Sequence, residues 1–507
     1  MQLKKILQIL PIINVQGSSD LEIKSITHDS REVTAGSLFI AVKGVKTDGH
    51  TYISDAACRG AVAVMVNEDF YLSKSDYVEN FIQEAGLTFV VVKDSRPLLF
   101  PLGKAFYQDP ASHLKLIGVV GTNGKTTSTF LLKSIMETAG MKTGLIGTIH
   151  SVIGEKVLSS TNTTPGPLEL QALLAQMVEE KTEYTVMEVS SHAIDQGRTT
   201  GLNFIGGIFT NITQDHLDYH HTFAEYLQVK TSFFQNLSKE AKAIINLDDP
   251  HSANIASATK ARILTYGLSA QAEIRAENIE KNMDNTCFTL VTPDGAIDLR
   301  LNLIGEFNIY NALSAAGFGY YLGLDLQLIK HGLEKMNFVP GRFQSLPGDY
   351  GFKVIIDYAH TPDGLVNLLR TARELTKNRL ITVFGCGGER DRGKRGLMGK
   401  ISAQFSHFTL ITNDNPRSED PCSIVKEIEK GFLENGGVDK YKIILDRKDA
   451  IKEAVSMATP GDMVVIAGKG HEDYQVFADR TVHFDDREVA STALKERFEC
   501  NGQLHYR

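Results

Sequence analysis

The stretch that decides the fold is "LKLIGVVGTNGKTTSTFLLKSIMETAG", Leu114 to Gly140. Its first seven residues are mostly apolar and predict a buried strand. Phe130-Leu131-Leu132, Ile135-Met136 and Ala139 then recur at helical spacing, and Gly140 signals a C-cap. Between them lies "GTNGKTT": Gly121, Thr122, Asn123, Gly124, Lys125, Thr126 and Thr127. Glycines between a strand and a helix let backbone N–H groups curl around phosphate, and the helix N-terminus adds partial positive charge. Lys125 is placed to reach β- and γ-phosphates and Thr126 to hold Mg²⁺. The usual spacing puts glycine at position 119, where this chain has Val119. The loop implies that the chain binds a nucleoside triphosphate.

At 507 residues the chain is long enough for about three domains. No run of 18 or more apolar residues occurs, so no membrane span is expected. Net charge is −8, which argues against a nucleic-acid partner. Five scattered cysteines without a C-x-x-C pair fit a reducing cytoplasm rather than a zinc or disulfide framework. In "MQLKKILQILPIINVQG" Gln8 and Pro11 interrupt the apolar segment, and an amphipathic opening helix is expected rather than a signal peptide.

Upstream of the loop, "GSLFIAVKG", "GAVAVMVNE" and "LTFVVVKD" alternate with turns, as in a small α/β domain of residues 1–110. Residues 111–338 form a central domain. It contains strands "YTVMEV", "FIGGIFTNI" and "KAIINLDD", an antiparallel hairpin pair around Pro293-Asp294-Gly295, and a helix from Asn308 to Leu322. In residues 339–507 the β-branched runs "FKVIIDYAH", "RLITVFGCGG", "HFTLITNDNPR", "YKIILD" and "DMVVIAGKGHE" alternate with helical patterns, which predicts a doubly wound parallel sheet. Ligands of such sheets sit beyond the carboxyl ends of strands. Asp357, His360, the segment Cys386 to Arg395, Asp414 to Arg417 and Gly468 to Glu472 all lie there.

Further residues carry chemistry. Glu188 ends a strand, a good Mg²⁺-ligand position, with Ser190, Gln196 and Arg198 beyond it for an anionic acceptor. His216 follows Asp215 and leaves two readings open, metal ligand or helix cap. Lys230 lies on a helix among apolar residues. It either snorkels to solvent or sits near metal and phosphate. Asn308, beside Phe307, either meets a base edge or caps its helix. Arg342 falls at a domain junction, where it could meet phosphate bound by another domain.

In this order, "GTNGKTT", "MEVSSHA", "NITQDHLDYH", "YLQVK", "GEFNIYNAL", "PGRF" and "DYAHTPDGL" resemble the motifs of the Mur ligase family, and "HDSREVTAGSLFIAVKG" resembles its UDP-binding N-terminal domain. The resemblance implies three α/β domains: N-terminal UDP-binding, central P-loop ATPase, and C-terminal Rossmann-like. It also implies an ATP-dependent ligase of cell-wall precursor synthesis. Ser30, Val45, Lys46 and Thr47 would hold the UDP end. Asn162, Thr163, Thr164, Ser190, Gln196 and Arg198 would grip the muramoyl-dipeptide. Lys125, Glu188, His216 and Lys230 would be catalytic, with Thr126, Glu188 and His216 on Mg²⁺ and Lys230 carbamylated by CO₂. Asn308, Arg342, Asp357 and His360 would join the loop in binding ATP. "DNPR" and "GKGHE" resemble the branch that adds meso-2,6-diaminopimelate, which implies that Arg390, Asp414, Asn415, Pro416, Arg417, Gly468 and Glu472 hold that amino acid. L-Lysine as the added amino acid is the alternative. The partners expected are small-molecule substrates, with the protein a monomer.

Overall fold

A computed structural model describes residues 1–44, 47–282 and 284–499. It contains three main sheets, met in chain order. In the first, the strand order is Ile12–Gln16, Thr88–Val92, Ala61–Asn67, Ser37–Ile40 and Ser25–Thr27, with only the first strand antiparallel. The opening helix covers only Leu3–Leu7. The residues beyond Pro11 are a strand instead, because pairing with Thr88–Val92 offers the apolar side chains a sheet rather than a helix face.

The second sheet has eleven strands. Lys115–Val120 lies near its middle, between Tyr184–Glu188 and Phe204–Phe209, parallel to both. Register then does the positioning: Glu188 pairs with Val119 and Phe209 with Val120, so Glu188 and Thr210 flank the glycine loop. Antiparallel strands extend both edges, including the hairpins Ile274–Lys281, Thr286–Thr292 and Gly295–Leu301. The helix Lys125–Thr138 packs on this sheet with Glu306–Tyr321 and Leu326–Glu334. Leu131, Leu132, Ile135 and Met136 are all fully buried.

The third sheet runs Gln344–Ser345, Lys353–Asp357, Met463–Ala467, Leu380–Phe384, Phe408–Ile411, Tyr441–Ile443, parallel apart from the first strand. Every residue of Leu380–Phe384 and Met463–Ala467 is buried, as expected for parallel strands covered on both faces. The order reverses around Met463–Ala467, so the crevice opens where Asp357, Gly387 and Gly468 emerge. Helices Gly393–Phe405 and Arg447–Met457 cover this sheet and have no counterpart in the sequence reading. Among the described residues, no helix is long and apolar enough to cross a membrane, and four cysteines are free thiols.

Candidate active site

The glycine loop is held from below. Asn123 N donates to Asn211 Oδ1 (2.9 Å), and Thr210 Oγ1 donates to Asn123 O (2.6 Å). Gly124 takes φ +84°, a left-handed turn that starts the helix at Lys125. No side chain caps that helix, so its first N–H groups face a cavity of about 490 Å³. Lys125 Nζ folds back onto Gly121 O (2.9 Å) and Thr122 O (2.8 Å). Burial holds its amine below the usual lysine value.

Glu188, fully buried, forms the inner wall. Its carboxylate accepts from Thr126 Oγ1 (3.0 Å), Thr148 N (2.8 Å) and Thr148 Oγ1 (2.9 Å). The two threonine hydroxyls are hard oxygen ligands, and with one carboxylate they suit an ion that keeps several waters, as Mg²⁺ does. Among the described residues no group of three or more His, Cys, Asp or Glu could hold a metal ion by itself. His216 starts a short helix at φ +54° but its side chain caps nothing, so the capping alternative falls away. Its Nε2 lies 3.4 Å from Asp215 Oδ2 and its ring packs on His192. Burial pulls it down to about 4, leaving a neutral imidazole at working pH.

Lys230 does not snorkel: it is 1% exposed. Its Nζ donates to Gly121 O (2.7 Å), the carbonyl that Lys125 also uses, and sits 4.7 Å over the Tyr226 ring. Burial, then the charge of Lys125, drives its amine well below the ordinary lysine value.

The residues expected to grip the acceptor form one network. Thr164 Oγ1 donates to Glu188 O (2.9 Å) and accepts from Ser190 N (3.0 Å). Arg198 Nη1 donates to Thr164 O (2.8 Å) and Nη2 to Gln196 Oε1 (2.7 Å). Thr163 Oγ1 lies 3.1 Å from Thr148 Oγ1, while Asn162 is exposed and bonds only locally. Ser30 lies in a short 3₁₀ turn of the first sheet's domain, and Thr47 O accepts from Gly44 N (2.8 Å). Val45 and Lys46 lie outside the described residues.

Across the cavity stands the C-terminal domain. Arg342 Nη2 donates to Thr126 Oγ1 (3.0 Å), its plane stacks 4.5 Å from the Tyr358 ring, and its Nε is buried without a hydrogen bond. That leaves a spare donor on a residue that lines the cavity. Asp357 is fixed by Phe343 N (2.6 Å) and Ala359 N (2.7 Å), and burial raises its carboxyl above the usual range. His360 Nδ1 sits 2.9 Å from Tyr358 O, so that N–H donates and Nε2 is left as an acceptor. Asn308 is placed differently from the base-reading expectation. It is 1% exposed, donates to Ile304 O (2.8 Å) and accepts from Asn311 Nδ2 (2.9 Å). Asn311, one turn on, lines the cavity instead.

Sequence reading missed Asp363. Its carboxylate accepts from Asn123 Nδ2 (2.9 Å), Thr213 Oγ1 (3.2 Å) and Asn367 Nδ2 (3.3 Å), tying the C-terminal domain to the glycine loop. We expect Asp363→Ala to lower kcat by about tenfold, equivalent to roughly 1.4 kcal/mol, by loosening the closed arrangement. Steady-state kinetics at saturating substrates check this, and an unchanged kcat contradicts it.

A second cluster of expected site residues lies at the carboxyl ends of Leu380–Phe384, Phe408–Ile411 and Met463–Ala467. Arg417 sits at φ +55°, half-buried, with Nη1 donating to Gly388 O (2.7 Å). A side chain at Gly388 would collide with Pro416 O, so the glycine loop is what lets the two loops touch. Burial and then Arg390 lower the Arg417 guanidinium below its usual value, a cation without a carboxylate of its own. Arg390 is exposed and donates only to Glu389 O (3.0 Å). Asp414 is partly buried, and the loss of water pushes it up, but Lys469 and Arg447 outweigh that and hold it below the ordinary range. Asn415 Nδ2 donates to Glu472 Oε2 (3.0 Å), and Gly468 turns at φ +116°.

The buried histidines set an acid limit. His471, pulled down to about 3 chiefly by burial, and His216 at about 4 both stay neutral where the unfolded chain, near 6.5, takes up protons. The unfolded state therefore binds more protons below pH 6.5, and stability falls as pH falls from there toward 4. His471 alone gives a slope of up to ~1.4 kcal/mol per pH unit; His216, 40% exposed, adds less. Urea midpoints at pH 7.5, 6.0 and 5.0 should fall in that order; a flat series contradicts this.

Comparison with known proteins places these features. Family models match in three segments: the Mur ligase family catalytic domain over residues 22–107, the Mur ligase middle domain over 119–319, and the Mur ligase glutamate ligase domain over 341–470. The chain is 44% identical over 477 residues to the UDP-N-acetylmuramoyl-L-alanyl-D-glutamate–2,6-diaminopimelate ligase of Clostridium botulinum, covering 94% of this chain and 96% of that one. It is 44% identical over 480 residues to the protein of the same name from Halalkalibacterium halodurans, covering 94% and 95%. A solved structure of a UDP-N-acetylmuramoyl-L-alanyl-D-glutamate–2,6-diaminopimelate ligase matches with a TM-score of 0.64 at 30% identity, covering 98% of this chain and 99% of that one.

Proposed function

The chain belongs to the Mur ligase family, and from that premise we propose its reaction. It uses ATP to join meso-2,6-diaminopimelate to the D-Glu γ-carboxylate of UDP-N-acetylmuramoyl-L-Ala-D-Glu, forming the UDP-linked tripeptide of peptidoglycan synthesis. The observation that carries this reading is half-buried Arg417, which has no carboxylate hydrogen-bond partner among the described residues, in the same C-terminal domain as Glu472, a domain that also meets the glycine loop through Arg342 and Asp363. We assign UDP binding to residues 1–110, ATP binding and catalysis to 111–338, and amino-acid binding to 339–507. The free thiols among the described residues support a cytoplasmic enzyme.

In this reading the helix N-terminus at Lys125 and the backbone of Gly121 to Thr127 cradle the ATP phosphates. Lys125 leaves its loop carbonyls for the γ-phosphate, and Arg342 approaches from the other domain. Asp357 and His360 sit on the C-terminal wall of the same nucleotide cavity. Arg198, Gln196, Thr164 and Ser190 orient the acceptor so that its γ-carboxylate oxygen attacks the γ-phosphorus and the bond to ADP breaks. The neutral amine of the incoming amino acid then attacks the acyl carbon, phosphate leaves, and the amine loses a proton. Thr126, Glu188 and His216 would hold Mg²⁺, which supplies charge neutralisation for the transferring phosphoryl group. The lowered pKa of Lys230 favours the free base that CO₂ needs to form a carbamate. Modification would turn a buried amine into a carboxylate. Closure by Arg342 and Asp363 keeps water from the acyl phosphate.

Oxygen transfer tests the first step. With ¹⁸O in the acceptor γ-carboxylate, the inorganic phosphate released should carry one ¹⁸O. Phosphate free of label would refute an acyl phosphate. L-Lysine as substrate is the weaker reading, because its distal end brings an ammonium to Arg417 and no carboxylate.

A further inference from the structure

The strand Met463–Ala467 ends in Gly468-Lys469-Gly470, and both glycines take positive φ, +116° and +55°. This double turn drives the lysine inward: its side chain is 0% exposed. Lys469 Nζ donates to Glu472 Oε2 (3.0 Å) and to Asn415 Oδ1 (3.2 Å). Asn415 Nδ2 donates to the same Glu472 oxygen (3.0 Å), and Val476 N locks Asn415 Oδ1 (3.0 Å). Every hydrogen bond to the Glu472 side chain therefore ends on Oε2. Among the described residues Oε1 has none.

We propose, building on the ligase reading, that Lys469 is a specificity-determining positioning residue. It fixes Asn415 and Glu472 as one unit, so that Glu472 Oε1 is offered at a set distance from Arg417 to the distal ammonium of the amino acid. Asn415 and Arg417 share one loop, so a single rigid triangle spaces the acid from the guanidinium. The distal end of diaminopimelate, carboxylate plus ammonium, needs both at once. Lys469 also sets a cation beside two neighbouring carboxylates, Glu472 and Asp414. Burial raises Glu472, and Lys469 opposes it. The other groups around this acid are Asp414, Arg417, Arg447, Tyr358 and Tyr474. None replaces the contact that Lys469 makes.

The test is Lys469→Met in the full-length enzyme, assayed with ATP, the UDP-linked acceptor and diaminopimelate. KM for diaminopimelate is expected to rise tenfold or more, with KM for ATP within twofold. The increase should be larger at pH 6.5 than at pH 8.5, because Glu472 without its cation protonates more readily. In a Glu472→Gln background the same substitution should change that KM less than twofold, since the lysine acts through the acid. A KM within twofold of wild type, or an undiminished tenfold rise in the Glu472→Gln background, would overturn the proposal. Should Lys469→Met not fold, Lys469→Gln keeps donors for both partners and lacks the charge. It is expected to show the same pH-dependent rise, and a flat response overturns the proposal equally. A wild-type enzyme that turns over no diaminopimelate refutes the ligase reading, and this assignment with it.

Discussion

Arg417→Ala is expected to lower kcat/KM for diaminopimelate by about 10²- to 10³-fold, equivalent to roughly 3–4 kcal/mol. The size follows from burial. The guanidinium is held half out of water, weakened by its surroundings, with Nη1 contacts to the backbone oxygens of Gly388 and Asn415 and, among the described residues, no carboxylate partner. A substrate carboxylate would complete it in a fork that water and backbone carbonyls do not reproduce. The substitution removes that partner and leaves the substrate carboxylate in a partly desolvated site. KM for ATP should stay within twofold, because no hydrogen bond of Arg417 reaches the phosphate loop. Arg417→Lys should recover little, since an ammonium is a point charge without the planar fork. Steady-state kinetics with each amino acid measure this. A loss below fivefold, or an equal loss for ATP, would show that Arg417 does not read the amino acid.

Lys230→Met carries the second large effect, with activity and stability moving in opposite directions. Ligation should fall about 10³-fold, the scale of removing a preorganised charged group from a transition state. The melting temperature should hold or rise. The lysine head is buried at 1% exposure, and the methionine stem fills similar space. Gly121 O keeps its bond from Lys125. Carbamylation adds a test in the wild-type protein: CO₂-free buffer should lower activity, and bicarbonate should restore it. Activity of Lys230→Met within tenfold of wild type would remove Lys230 from the mechanism.

The parts of the site carried by local chemistry were legible in the sequence. A glycine loop between an apolar strand and a helix needs those residues side by side, so Gly121 to Thr127 announced itself. The place of Arg417 and Glu472 beyond strand ends was legible because parallel strands expose ligand residues at their carboxyl ends, while their roles rest on the family resemblance. Contacts made by residues far apart in the chain were not. Asp363 and Asn123 are separated by 240 positions and meet only in the folded tertiary structure. Lys469 sits in a motif whose glycines were readable, but its inward direction depends on two left-handed turns. Asn308 and Asn311 differ by less than one helical turn, and sequence spacing did not say which of them faces the cavity. The opening segment failed for the same physical reason: an apolar run of that length suits helix or strand, and its neighbour Thr88–Val92 decided.

The central claim is that the cavity at the glycine loop and the Arg417–Glu472 cluster of the C-terminal domain together bring ATP, a UDP-linked dipeptide and a doubly zwitterionic amino acid to one reaction. The most direct measurement is incorporation of ¹⁴C-labelled meso-diaminopimelate into the UDP-linked acceptor by purified protein, with ATP present or withheld. The account predicts a labelled UDP-tripeptide formed only with ATP, one ADP released per product, and little product from L-lysine at equal concentration. Label that stays in free diaminopimelate, or efficient turnover of L-lysine in its place, would contradict it.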